Sequence, residues 1–315
     1  MSEVLTEAFI IGLLATTLRA ATPLLLGGLG EAVSQRSGVI NVGLEGYMLS
    51  GAFFGYLVAH YTGSPWFGAL GGMAAGGLVA LVAAYVMITR RADQIVTGLA
   101  IVILAAGLTG TLYRTLFRNE STMQPERVPV ESFARWDIPL VSEIRWLGDV
   151  LFSHIPLVYV GVLAVLGVWL VMRSRTGLKI RAAGEHPEAL ETAGSNVILI
   201  RYACVVATGI MAGLGGVYLS IGKTETYEEG LTGGRGFIAL GVAIVGRRHP
   251  VGVLVAALAF AMADAMQLWL PSAGIEASHH LLGMLPYVVT IIALAGVLGR
   301  VRHPRAFLKP FARQT

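Results

Sequence analysis

Cysteine is nearly absent from this chain of 315 residues: the single thiol, Cys204, lies inside an apolar run. One cysteine cannot close an intrachain disulfide, and a cysteine-based metal site is excluded on the same count. Charge is scarce as well, at 13% of residues against 55% hydrophobic, and mean hydropathy is +0.70. An ordinary soluble domain carries about 25% charged residues. What fills the chain instead is a series of apolar runs of about 20 residues, the length a helix needs to cross ~30 Å of hydrocarbon. The fold class expected is therefore an all-α polytopic membrane protein, one transmembrane domain over 1–315. The opening MSEVLTEAFI is acidic where a cleavable signal peptide needs positive charge, so the first span is expected to stay in the mature chain.

Spans are expected near 5–29, 37–60, 66–89, 94–117, 154–173, 197–222, 234–247, 250–270 and 281–299, about nine in all (8–10). The run at 234–247 is too short to cross unless it is tilted or is a broken half-helix buried among neighbours. The net charge of +4 and pI near 9.3 raise the question of an anionic partner. The basic residues, however, sit in short loops: Arg90 and Arg91; Arg173, Arg175, Lys179 and Arg181; Arg247 and Arg248; Arg300, Arg302, Arg305, Lys309 and Arg313. Alternating spans put all of these on one side, which the positive-inside rule makes cytoplasmic. No nucleic-acid partner is needed to explain them. The mixed-charge loop 118–153 then faces outward with Trp136 and Trp146 as interface anchors, and the basic tail 300–315 lies inside, near lipid headgroups or a cytoplasmic partner.

Three motifs lose their functional reading on inspection. GGVYLSIGKT (215–224) has five residues rather than four between Gly216 and Gly222 and no preceding strand, so it is not a phosphate loop. Adjacent His279 and His280 point about 100° apart on a helix, which suits no metal site. Gly68, Gly72 and Gly76, with Gly209 and Gly213, form small-residue ridges that let helices approach closely in lipid. The loop 174–196 is more informative. Pro187 is placed to begin a short helix and Gly194 to end it, with Ala189, Leu190 and Ala193 as a small apolar face and no membrane to enter. Such a face asks for a cytoplasmic partner.

RAAGEHPEALETAGSNV (181–197) resembles the cytoplasmic coupling segment of permease subunits of ATP-binding-cassette importers, in the superfamily of ribose and branched-chain amino acid systems. RAATPLLLGGLGEAVSQRSGVINVGLEGYMLSGAF (19–53), DQIVTGLAI (93–101) and GGRGFIALGVAIVGRRHPVGVLVAALAFAMADAMQL (233–268) are similar to one branch of it, the nucleoside-type permeases served by basic-membrane-protein lipoproteins. The likeness covers most of the chain, in order; RRHP at 247–250 is more basic than the branch leads one to expect. It implies a permease in the bacterial cytoplasmic membrane with its C-terminus inside, paired as a heterodimer with a second homologous permease. A cytoplasmic ATPase would hold ATP and Mg, this chain binding no cofactor, and a lipoprotein would deliver substrate from outside. Pro187, Glu188, Ala189, Leu190, Glu191, Thr192, Ala193 and Gly194 would form the coupling helix. The cargo implied is a nucleoside or a related purine or sugar-like molecule; riboflavin or a sugar are alternatives.

One carboxylate calls for explanation. A bare charge at mid-bilayer costs about 2.5–3.5 kcal/mol on insertion scales, so Glu45 should be paired, protonated or facing water. Arg19 lies ~15 Å and Glu45 ~12 Å from the inner ends of their spans by helical rise, so an Arg19–Glu45 ion pair is expected, with Asn41 supporting the carboxylate. Asp264 and Gln267 share a face of the eighth span. An uncharged sugar-bearing base needs such donors and acceptors beside a slot for its ring. Asn41, Phe53, Gln94, Phe237 and Asp264 are the candidate lining of the translocation path. A proton-coupled secondary transporter using Glu45 and Asp264 requires an internal repeat, and no convincing one is visible. An intramembrane enzyme requires those groups to converge with the histidines, which the span order forbids.

Overall fold

The computed structural model describes residues 7–119, 124–137, 148–272, 288 and 303–311. His279, His280, Trp146 and the expected last span, apart from Val288, lie outside the described residues. Helices dominate: α1 (Glu7–Arg36), α2 (Leu44–Thr62), α3 (Pro65–Ala84, continued by a π-helical turn to Thr89) and α4 (Gln94–Leu116) come first. After a two-residue ladder of β1 (Trp136–Asp137) with β2 (Ser153–His154) follow α5 (Pro156–Arg173), α6 (Arg175–Glu185), α7 (Pro187–Thr192) and α8 (Val197–Val217, continued by π-helical turns to Thr224). α9 (Arg235–Val245) and α10 (Pro250–Ser272) complete the set.

Local chemistry sets these limits. Pro65 and Pro156 open α3 and α5, where a missing N–H costs nothing. Asp93 caps α4 by accepting from the N–H groups of Ile95 and Val96 at 2.9 Å, and Asn196 caps α8 through the Leu199 N–H at 3.0 Å. Among the described residues, six helices are long and apolar enough to cross a membrane: Glu7–Arg36, Pro65–Thr89, Gln94–Leu116, Pro156–Arg173, Val197–Thr224 and Pro250–Pro271. The 19-residue α2 is not among them. It is buried along most of its length by α3, α4, α8 and α9, and a helix sheathed in protein has no need of a fully apolar surface.

The centre of the bundle is the α2, α3 and α8 group, and its contacts are made of glycine. A Cβ on Gly213 of α8 would overlap the Gly72 carbonyl oxygen of α3, and one on Gly51 of α2 would overlap the Gly213 backbone. Gly76 and Gly209 meet in the same way. α1 lies along α8, α9 and α10, with a second apolar cluster of Leu24, Leu25, Leu29, Val242, Val253 and Phe260 between them.

Two boundaries differ from the sequence reading. α1 continues to Arg36 rather than ending near 29, and residues 37–43 form a turn before α2 begins at Leu44. Polar Glu31, Ser34 and Gln35 are buried there with partners: Gln35 Nε2 donates to Glu31 at 2.9 Å and Ser34 Oγ to the Val39 carbonyl at 3.0 Å. Gly38, with φ +95°, turns the chain. The loop 174–196 holds two helices rather than one, α6 preceding α7. Following the helices end to end puts α6, α7, the α9–α10 corner and residues 303–311 on one face, rich in arginine; the opposite face carries residues 117–119, 124–137 and 148–155 and the loop 225–234.

Candidate functional site

The short run at 234–247 is the half-helix α9. The chain returns from the far face through residues 225–234 and starts α9 beside Glu45, in the interior of the bundle. There the sequence TGGRG (232–236) builds a receptor for the Glu45 carboxylate. Thr232 Oγ1 donates to Oε1 at 2.5 Å, the Gly234 N–H to Oε1 at 2.9 Å, and the Gly236 N–H to Oε2 at 2.6 Å. The first N–H groups of a helix lack internal partners and carry the positive end of its dipole, so a carboxylate from another helix completes the end of α9. Both glycines are required: Gly234 has φ +82°, and a Cβ on Gly236 would overlap the Glu45 backbone.

Glu45 therefore has no ion pair with Arg19, contrary to expectation. Depth along two helices sets height but not azimuth, and Arg19 turns elsewhere, donating to Thr16 Oγ1 at 3.2 Å. Nor does Asn41 support Glu45: its Nδ2 donates to Glu31 Oε2 at 2.8 Å and its backbone N–H to Glu31 Oε1 at 3.1 Å. Glu31, fully buried, went unnoticed in the sequence; its signal was a polar E–Q pair at helical spacing in an otherwise apolar run. Gln94 accepts from the Ile40 N–H at 2.9 Å and so pins the 37–43 turn rather than lining a path. Phe53 is wholly buried, its ring 5.1 Å from that of Tyr227, within an aromatic group that includes Tyr56, Tyr113 and Phe117. It anchors the returning loop. Phe237 lies on the partly exposed side of α9.

Asp264 does face a cavity. A space of about 410 Å³ opens between the N-terminal half of α1, the C-terminal half of α10, the π-helical end of α8 and residues 132–135 and 153–155. Arg19, Arg135, Lys223 and Asp264 supply charge, Ser132 and Ser153 hydroxyls, and Tyr218 and Phe133 aromatic surface. Arg235, in the first turn of α9, holds its guanidinium 3.7 Å from Asp264 Oδ2, which ties the half-helix to the cavity wall. His154 lines the same space; burial pushes its pKa down, against a hydrogen bond with the Val150 carbonyl that raises it, and Arg19 and Arg135 add to the lowering. The volume is that of a small-molecule site with a few polar groups on an apolar frame.

The returning loop is clasped to α4 and to the segment that follows it. Glu229 in the returning loop takes two hydrogen bonds from Arg114 of α4, at 2.6 and 2.5 Å, and Glu228 pairs with Arg127 at 2.6 Å. The hydrogen-bonded Arg114 guanidinium holds the Glu229 carboxyl below the usual carboxylate range. On the opposite face, α7 begins at Pro187 and ends at Thr192, with Gly194 at φ +79° just beyond. Leu190 is buried against Ala183, Val197 and Phe311 rather than left open for a partner; Glu188, Ala189, Thr192, Ala193 and Gly194 are the exposed positions of 187–194. Among the described residues no group of three or more His, Cys, Asp or Glu is arranged to hold a metal ion.

Residues 13–294 match the family described as branched-chain amino acid transport system / permease component. The guanosine ABC transporter permease protein NupQ of Bacillus subtilis is 38% identical over 94% of this chain and 95% of its own. The putative glucose ABC transporter permease protein TsgC13 of Haloferax volcanii is 37% identical over 83% and 78%, and the nucleoside ABC transporter permease protein NupC of Lactococcus lactis is 32% identical over 93% and 94%. In each of these three organisms a second, more distant ABC permease relative matches too, at 25%, 29% and 22% identity respectively.

Proposed function

The chain belongs to the permease-component family of branched-chain amino acid transport systems, and from that membership we propose that it is the membrane-spanning permease subunit of an ATP-binding-cassette importer whose cargo is a nucleoside. The observation that carries the cargo is the 38% identity, across nearly the whole of both chains, to a protein named as a guanosine permease. The cavity suits such a molecule: an uncharged, hydroxyl-rich ring system finds Ser132, Ser153 and Asp264 for its hydroxyls and Phe133 and Tyr218 for its base. The 37% relative named for glucose supports a second reading in which a sugar is carried. Both cargoes share hydroxyls; only the nucleoside uses the aromatic wall.

The recurrence of two relatives in one organism supports a heterodimer with a second permease. About nine spans, the arginine-rich face and the C-terminus inside, and a substrate-binding lipoprotein outside complete the assembly. ATP and Mg reside on a cytoplasmic ATPase, against which the exposed side of α7 docks. Closure of the ATPase on nucleotide moves α7, and rigid-body shifts of the helices carry that motion to the cavity. No covalent chemistry is assigned to this chain.

The test is labelled guanosine uptake by cells expressing the chain with its partner permease, ATPase and lipoprotein, beside a hydrolysis-dead ATPase. Uptake that needs live ATPase and is displaced by other nucleosides but not by glucose supports the reading. Displacement by glucose alone replaces nucleoside with sugar, and uptake by this chain without an ATPase overturns the importer.

A further inference from the structure

The basic tail 300–315 was expected near lipid headgroups or a cytoplasmic partner; its described part, 303–311, is stitched across the arginine-rich face. The Ala306 N–H donates to the Gly184 carbonyl at 2.8 Å, the Leu308 N–H to the Gly38 carbonyl at 3.1 Å, and the Arg305 N–H to Glu185 at 3.3 Å. These three bonds join it to the α1–α2 turn and to the junction of α6 with α7.

Two buried arginines hold the segment from within the bundle. Arg201, only 2% exposed in the first turns of α8, donates from Nε to the Ser37 carbonyl at 3.2 Å, from one terminal nitrogen to Ala183 at 3.2 Å, and from the other to Lys309 at 3.1 Å. One guanidinium thus joins the end of α1, α6, the segment and α8. Arg248, at the α9–α10 corner, donates to Gln35 of α1 at 2.8 Å and to His303 Nδ1 at 2.7 Å, with its guanidinium carbon 5.2 Å from the Phe307 ring. Phe311 closes over Leu190 of α7. Only arginine has a rigid fork with five donors that reaches three carbonyls at once.

We propose that residues 303–311, seated by Arg201 and Arg248, are the link that carries displacement of α7 into α1, α8 and the α9–α10 corner, with Arg201 its principal positioning residue. This rests on the importer reading. α7 is six residues long and touches the bundle mainly through Leu190. Leu190 packs with Phe311 of the segment, and the Arg201 guanidinium fixes Lys309 of that segment and Ala183 of α6 to α8, whose far end lines the cavity through Tyr218, Gly222 and Lys223. Packed side chains that run into a hydrogen-bonded network are the kind of contiguous path that carries coupling between sites.

The experiment uses the whole complex in proteoliposomes, with guanosine as probe and the ratio of ATP hydrolysed to guanosine transported as readout, beside retention of the ATPase on purification. Arg201→Lys, Arg201→Gln, Phe311→Ala and a chain ending at residue 302 are compared. The expected result is an intact complex that still hydrolyses ATP while the ratio rises about tenfold, within the range typical of coupling between sites. Arg201→Lys, which keeps the charge but not the fork, is expected to stay uncoupled; a merely electrostatic role would be rescued by it. A ratio unchanged in Phe311→Ala and Arg201→Lys overturns the link. Loss of the ATPase from these two variants overturns it as well, in favour of direct docking. An unmodified complex without ATP-driven uptake refutes the importer reading, and the link with it.

Discussion

At the scale of single residues, the buried carboxylates Glu45 and Glu31 are met by neutral hydrogen-bond donors, backbone and side chain. Glu45 is satisfied by one hydroxyl and two N–H groups, and Glu31 by Gln35 and Asn41. Leaving a buried donor unmet costs ~1–3 kcal/mol. Glu45→Ala leaves three, so the purified protein is expected to unfold well below the wild type in a thermal melt. Glu45→Gln, which keeps one acceptor and turns an amide donor toward the Gly236 N–H, should fall between; a melt equal to wild type for both would remove Glu45 from this role. The outer clasp behaves differently because it is solvent-exposed. Arg114 lowers the folded pKa of Glu229, so its contribution is present above the unfolded pKa and is lost as pH falls through the folded one. Acidification below the ordinary carboxylate range should open the 225–234 loop to protease, and Glu229→Gln should make cleavage independent of pH over that range.

At the scale of elements, glycine decides which helices touch. Apolar side chains gain little by meeting in lipid, and close backbone approach supplies the packing instead. Gly213→Val is expected to abolish folded protein, since its first carbon already overlaps the Gly72 carbonyl; Gly107→Ala, with open space around it on α4, should express normally. Equal yields of the two in detergent would contradict the packing. The same scale governs α7. Its buried residue, Leu190, anchors it to the chain, while Glu188 projects outward. Glu188→Lys should leave the protein in the membrane at wild-type level and reduce ATP-driven uptake severalfold, measured as uptake per unit of protein; unchanged uptake would remove α7 from the ATPase contact.

For the whole molecule, the half-helix α9 is the feature on which the arrangement turns. Its first residue beside the cavity is Arg235, near Asp264, its N-terminus is held by Glu45, and its other end runs into the corner gripped by Arg248. One short element thus joins the solute cavity to the face that carries α7. Asp264→Asn removes the charge facing Arg235 while keeping the shape, and guanosine uptake is expected to fall with little change in the melting temperature. Alanine at Gln94 or Phe53 should do the reverse, lowering stability, because both are buried supports rather than lining.

The class of protein, the existence of the long apolar helices among the described residues, the shortness of α9 and the start of α7 at Pro187 were legible in the sequence. Each follows from local chemistry: run length against bilayer thickness, a proline that starts a helix. The likeness of one stretch to the importer superfamily and of three more to its nucleoside-type branch pointed to the family as well. The partners of the buried ions were not legible. Glu45 finds its donors 187, 189 and 191 residues away, and Arg201 finds carbonyls 164, 18 and 108 residues away. Helical rise assigns depth to such groups, but the rotation of one helix against another is set by which glycine faces meet. Rotation selects the partner, and only the tertiary structure decides it.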